Sequence, residues 1–335
     1  MLTPQVANVV AYYFNVLIAY GIGAQSSTIS DKLSLKTNKQ ISEMYPTLIT
    51  PAGYSFSIWG LIFILEAISI CWQFTLTDNA SDSPHLHGKI PFIFEEGSRY
   101  WVLTCVLQCI WTLTFGWNKI LISTGVMMGL FYTIVSTYMA NLIALQTRLT
   151  SADVSSEGYA YFWAVLPFAL HSSWLLVATL VEFNIFVVSR KASASLQVII
   201  ALLSLTTILL LGCYAAGSLL GTIGYARSLE SLDEIHIGCR VTLLMVLLWA
   251  ARAIQCFDNE LNYVTAGIGK KDDDQSTGSV AKGNVSNSLT VELVPLSRLQ
   301  TIVMQRFKGV VYRTLLGAFL GNFVLFAVKY YQLMQ

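Results

Sequence analysis

Charge is what this chain has least of. Only 12% of its 335 residues are Asp, Glu, Lys or Arg, while 55% are hydrophobic and the mean hydropathy is +0.60. A soluble domain carries about twice that share of charge, so the composition excludes an ordinary soluble globular protein and predicts a polytopic membrane protein. A net charge of +1, with no basic stretch interleaved with aromatics, leaves no nucleic-acid partner. Paired cysteine motifs are missing as well. Cys71, Cys105, Cys109, Cys213, Cys239 and Cys256 all sit in or at the ends of apolar runs without a Cys-x-x-Cys, and read as small apolar side chains rather than a disulfide framework. His85 and His87 share a loop with no third ligand, so no metal site is assigned. No phosphate-binding loop, zincin helix or nucleophile elbow appears in a workable context, which removes hydrolysis and phosphoryl transfer. The N-terminus shows neither a cleavable signal pattern nor an Arg-rich transit segment; its first apolar run is about twenty residues long and reads as a membrane span.

What the chain has instead is apolar runs of bilayer length, at 4–24, 50–74, 99–117, 119–146, 159–189, 195–221, 236–257 and 309–331. Eight transmembrane helices are expected, all-α throughout. Only Trp117, Asn118 and Lys119 separate the third from the fourth, so these two must be antiparallel neighbours. Fourteen of the twenty Lys and Arg residues fall on one side of this arrangement. That side should be cytoplasmic, which places both termini on the non-cytoplasmic side and the 78–98 loop with its Asn79 acceptor sequon outside. From Gly267 to about Thr290 the chain turns polar and reads as a disordered linker, followed by an interfacial helix from Ser297 to Lys308. Small residues recur at spacing four: Gly125 with Gly129, Cys213 with Gly217 and Gly221, Gly317 with Gly321. Close packing within the molecule is the expected use, a homodimer contact the alternative.

Three spans carry a patterned face. In the second, Phe56, Trp59, Phe63, Glu66, Ile70 and Gln73 share one side; in the third, Thr104, Gln108, Trp111 and Phe115; in the fifth, Pro167, His171, Trp174, Ala178 and Glu182. An aromatic stripe alone is ordinary helix packing. A carboxylate inside a span is costly and marks a functional site by default, and polar groups in a bilayer turn toward protein, so the three faces are expected to converge. Pro167 removes a backbone donor and frees a carbonyl for a neighbour or a ligand. Trp101 and Trp117, near the expected helix ends, fit interface anchors. By depth, Glu66 falls level with Arg240 and Glu182 with Arg252, which predicts two ion pairs; the alternative is arginines reaching head groups and protonated glutamates.

These stripes resemble the tryptophan-rich sensory protein family, the relatives of the translocator protein or peripheral benzodiazepine receptor. Pro51-Ala52-Gly53-Tyr54-Ser55-Phe56-Ser57-Ile58-Trp59 with Phe63 is similar to the family's Pro-x-x-Trp-x-Phe-x-x-Val-Trp entry to its second helix, with Tyr54 at the first Trp position. Gln108-Cys109-Ile110-Trp111 resembles its Asn-x-x-Trp run, and Leu166-Pro167-Phe168 with Trp174 and Ala178-Thr179 its fifth-helix pattern, with Glu182 where Asn is usual. The resemblance covers residues 1–190. It implies a five-helix bundle with an aromatic pocket capped by the loop from Gln25 to Ile49, and tetrapyrroles or sterols as ligands. Residues 191–335 would form a three-helix extension, with the linker near 267–290.

The leading expectation is therefore a membrane protein binding a planar hydrophobic ligand, with a tetrapyrrole as the conceivable cofactor. Pro51, Tyr54, Phe56, Trp59, Phe63, Trp111, Phe115, Trp174 and Ala178 would form its walls, and Gln108 and His171 would orient the ligand. Ligand sensing or transport, an ion- or proton-coupled transporter using Glu66, Glu182, Arg240 and Arg252, and a structural membrane subunit are the alternatives. The resemblance also implies light-driven tetrapyrrole breakdown through a Trp; with Tyr54 in place of one Trp, an enzyme ranks last and no catalytic residue is assigned.

Overall fold

The computed structural model describes residues 3–24, 32–75, 90–148, 162–225, 234–271 and 298–334, and helices account for nearly all of them. The long helices are α1 (Pro4–Ile18), α3 (Ile58–Thr75), α4 (Ile90–Gly116), α5 (Ile120–Arg148), α6 (Leu166–Ser189), α7 (Ala194–Tyr225), α8 (Glu234–Lys271) and α9 (Arg298–Met334); a short α2 (Asn38–Met44) lies between the first two. All eight expected spans are helical over most of their described residues. Among the described residues, six are long and apolar enough to cross a membrane. The two outside this group are α1, whose regular part is 15 residues before a π-helical turn at Ala19–Ala24, and α4, which carries Ser98, Arg99, Thr104, Gln108 and Thr112.

Local chemistry sets the connections. Thr37 accepts from the amide of Gln40 while the Gln40 side chain returns to the Thr37 amide, a capping box that starts α2. Between α4 and α5 the chain reverses through Asn118 at φ 60, a left-handed position that Asn tolerates better than most residues. The Lys119 amide closes on the Thr114 carbonyl at 2.9 Å, so the two helices are the antiparallel neighbours expected. Pro167 lies in the first turn of α6, where a missing N–H costs least. The carbonyl it leaves free, four residues back on Trp163, accepts from Ser69 Oγ at 2.5 Å and ties α6 to α3.

Helices in lipid gain little from hydrophobicity against one another and associate by packing and interhelical hydrogen bonds. Two buried clusters result. One joins α1, α3, α4, α5 and α6 around Trp101, Met127, Leu130 and Phe168. The other joins Ile58, Ile62, Leu170 and Trp174 of α3 and α6 to Leu205, Leu244, Leu247 and Leu315 of α7, α8 and α9. The expected boundary after residue 190 coincides with a tight turn at Lys191, φ 54, and the second core crosses it.

Several expectations are corrected here. Trp101 is no interface anchor: α4 starts at Ile90, well before it, and the ring is 2% exposed, 5.1 Å from Phe168. Residues 298–308 run without a break into the last span as the first turns of α9. Residues 267–271 continue α8; the rest of the expected linker, Asn79, His85 and His87 lie outside the described residues. Among the described residues, most of the small-residue stripes bring no neighbouring helix close. Of those glycines only Gly129 meets a neighbour, Leu107, whereas Gly212, one position from the expected stripe, backs onto Leu315.

Candidate functional site

The inward faces of the second, third and fifth spans follow the helical period. Phe63, Glu66, Ile70 and Gln73 of α3, Thr104, Gln108, Trp111 and Phe115 of α4, and Pro167, His171, Trp174 and Glu182 of α6 are all buried, while Leu61, Ile64 and Ile68 on the far side of α3 are exposed. The faces converge on a cleft with about 540 Å³ of empty space, mouth included. The second span enters it through a 3-10 turn at Gly53–Ser57, anchored by the Ala52 amide on the Ala253 carbonyl of α8 at 3.0 Å. Pro51, Phe56 and Trp59 line that side, Trp111 and Phe115 the α4 side, Met127 the α5 side, and Trp174, Val177, Ala178, Val181, Glu182 and Ile185 the α6 side. Trp111 and Phe115 stack at 5.1 Å and 18°, one flat wall.

Asn38 and Ser42 of α2 complete the lining. The approach to α2 is pinned to the end of α4: the Lys36 amide donates to the Gly116 carbonyl at 2.9 Å, and Trp117 Nε1 to the Leu33 carbonyl at 3.1 Å. The expected cap over the pocket is thus in part an ordered helix.

Glu182 is the one ionisable side chain among the described lining residues. It is 3% exposed, and Ser123 Oγ of α5 donates to its Oε1 at 2.6 Å. The Trp111 indole interacts with the same carboxyl without closing a hydrogen bond of normal geometry.

Of the residues expected at the site, the structure brings together Pro51, Phe56, Trp59, Trp111, Phe115, Trp174 and Ala178, with Glu182 beside them. Tyr54 is not among them. Three residues per turn in the 3-10 segment rotate it off the α-helical stripe, so it is 44% exposed and packs edge-on against Trp249 of α8 at 5.3 Å. Phe63 lies behind Trp59, stacked at 5.7 Å. Gln108 accepts from Asn15 Nδ2 at 3.1 Å, holding α1 to α4 rather than meeting the cleft. His171 sits edge-on to Trp59 at 5.4 Å, and its Nδ1 meets Glu66 Oε1 at 2.6 Å, with both side chains fully buried.

Neither expected Glu–Arg pair forms. Glu66 is taken by His171, expected instead to orient the ligand, and Glu182 by Ser123. Arg240 reaches across to α7 instead, donating to the Ser218 carbonyl at 3.1 Å and to Thr222 Oγ1. Arg252 points outward, bonded to Gln255 at 3.2 Å and lying over the Tyr312 ring at 5.4 Å. The reason is rotational: α8 packs mainly on α6, α7 and α9, so equal depth did not bring these charges onto facing sides.

A polar stripe on α1 went unread. Asn8, Tyr12 and Asn15 are its buried residues, at i, i+4 and i+7. Asn8 donates to Gln73 Oε1 at 3.3 Å and accepts from Ser98 Oγ at 2.6 Å, and Tyr12 OH donates to the Phe63 carbonyl at 2.7 Å. Two asparagines at that spacing in an apolar run were the available signal.

An all-α, multi-pass integral membrane protein with an aromatic cleft among three spans is the class that fold and site define. The model of the family described as TSPO-like protein matches residues 5–266, and the chain belongs to that family. The match passes the expected limit at 190 and takes in α7 and most of α8. No curated protein and no solved structure matches the chain significantly.

Proposed function

We propose that this protein binds a planar hydrophobic ligand, tetrapyrrole-like or sterol-like in shape, in the aromatic cleft between α3, α4 and α6, and so senses or carries it within the membrane. The observation that supports this most is the convergence of Phe56, Trp59, Trp111, Phe115 and Trp174 from three helices on one cleft under a helical cap. Rings of this kind give a flat ligand large contact area at low entropic cost, and ligand sites are mostly apolar with few polar groups. The site is read as binding rather than catalytic, since Tyr54, at a Trp position of the family pattern, packs on Trp249 away from the cleft. The test is titration of a planar hydrophobic fluorophore into the protein in nanodiscs, followed by quenching of Trp emission. Saturation at one-to-one stoichiometry that Trp111→Ala abolishes supports the reading; non-saturating quenching unchanged by Trp111→Ala overturns it.

A second reading, proton-coupled transport of the ligand, draws on the Glu66–His171 contact behind Trp59, whose Oε2 and Nε2 atoms have no hydrogen-bond partner. Buried ionisable pairs of this sort mark proton relays in transporters. Ligand flux into proteoliposomes that is driven by a pH gradient and lost in Glu66→Gln supports it, and gradient-independent binding without flux counts against it.

A further inference from the structure

We propose that the cleft selects a hydrophobic organic cation, a flat aromatic body bearing an ammonium group, with Glu182 as the counter-charge. The inference rests on the reading of the cleft as a ligand site and names the class of ligand that site would take. It starts from a contrast between two buried carboxyls on the same inner surface. Glu66 has a basic partner, His171, at 2.6 Å. Glu182 accepts from the Ser123 hydroxyl on Oε1 and has the Trp111 indole beside it, and no ion pair joins it to any described residue. A carboxylate held inside a membrane span is costly and is kept near a partner or a pathway. Here the protein supplies no positive charge, and the carboxyl lines the cleft.

The walls point to the same chemistry. A cation over the face of a Trp or Phe is attracted by the ring quadrupole, most strongly where water is excluded, and cages of aromatic rings are a recurrent way to hold ammonium groups. Trp111 and Phe115 present a stacked pair of faces on the α4 side, the Trp111 indole interacts with Glu182, and Trp59 and Trp174 line the same cleft. An anionic ligand meets the opposite situation. Among the described lining residues there is no Lys, Arg or His to receive an acid group, and the one ionisable side chain there is a carboxyl. A neutral flat ligand would fill the walls and leave Glu182 without a counterpart.

Three anthracenes substituted at the central ring, one with a methylammonium, one with a methyl and one with a carboxylate group, form a matched set of probes. Each accepts energy from Trp, so binding to the full chain in nanodiscs of neutral lipid is read as transfer. Partition into lipid differs between probes. It cancels when the ratio of ammonium to methyl affinity is compared between wild type and Glu182→Gln in the same discs. The expected result is a wild-type preference for the ammonium probe of about tenfold or more, exclusion of the carboxylate probe, and a ratio that falls by about tenfold in Glu182→Gln. Should that variant fail to fold, the wild-type order of the three probes decides alone. Equal ratios in wild type and variant, or a carboxylate probe that binds as well as the ammonium, overturns the cation inference. If the methyl probe still saturates and responds to Trp111→Ala, the cleft reading survives that result. If no probe saturates, both fall.

Discussion

The chain uses two different ways of holding helices together, and the cleft sits where the first gives way to the second. Around α1, α3, α4, α5 and α6, side chains are joined across helices by directional bonds: Asn15 to Gln108 at 3.1 Å, Thr104 to Thr133 at 3.0 Å, Glu66 to His171 at 2.6 Å, Ser123 to Glu182 at 2.6 Å. Around α7, α8 and α9 the buried contacts are mostly Leu, Ile, Val and Ala, with Arg240 on Ser218 and Thr222, and Asn184 on Ser204, among the polar crossings. Apolar packing fixes distance but tolerates rotation, whereas a hydrogen bond in a low-dielectric interior fixes both. The polar half therefore aims the aromatic rings into one space. The apolar half braces the entry to α3, through the Ala52–Ala253 backbone bond and the Tyr54–Trp249 contact.

This contrast can be broken in stages. The largest effect is expected from His171→Leu, which strands a fully buried Glu66 and should lower stability by about 3–5 kcal/mol; adding Glu66→Leu should restore most of it, measured by unfolding in detergent. In the other half, Leu315→Ala opens a cavity against Gly212. It should cost about 2–5 kcal/mol yet leave ligand affinity within twofold or so of wild type, since Leu315 does not line the cleft; a parallel loss of affinity shows that the two halves are not separable. Trp111→Ala should weaken binding of the flat ligand by about 1–3 kcal/mol, the range for one stacked ring, while Trp101→Phe, which alters a buried ring outside the cleft, leaves it unchanged. The smallest effect belongs to Asn15→Leu. Interhelical hydrogen bonds in membranes average about 0.6 kcal/mol, so a modest loss of stability is expected, and a loss several times larger makes the α1 stripe the main organiser of the bundle.

Much of this arrangement was legible in the sequence because helices in lipid obey a strict period. The stripes on 56–73, 104–115 and 167–182 needed only spacing three and four, and their residues are buried apart from Phe56, Trp59 and Ala178, which are partly so. What failed were inferences that depend on rotation between helices. Depth alone suggested Arg240 for Glu66, but the facing side chain was His171, already on the fifth-span stripe. Tyr54 was placed by family pattern and displaced by a 3-10 turn that no α-helical period describes. Trp101 looked terminal because polar residues before it masked the true start of α4. Asn38 and Ser42 were invisible as site residues, since a seven-residue amphiphilic segment gives no sign of the cavity it will cover.

Under the proposed function, ligand resides in one cleft, walled by α3, α4 and α6. The most direct measurement is photo-crosslinking in nanodiscs with a diazirine-bearing anthracene, adducts being mapped by peptide sequencing with and without excess unlabelled anthracene. The account predicts competable adducts on the peptides carrying Trp59, Trp111 and Trp174, and none that compete on Tyr214 or Phe323, which are 71% and 64% exposed on the outer face. Competable labelling confined to those outer residues, with the cleft peptides unmodified, would contradict it.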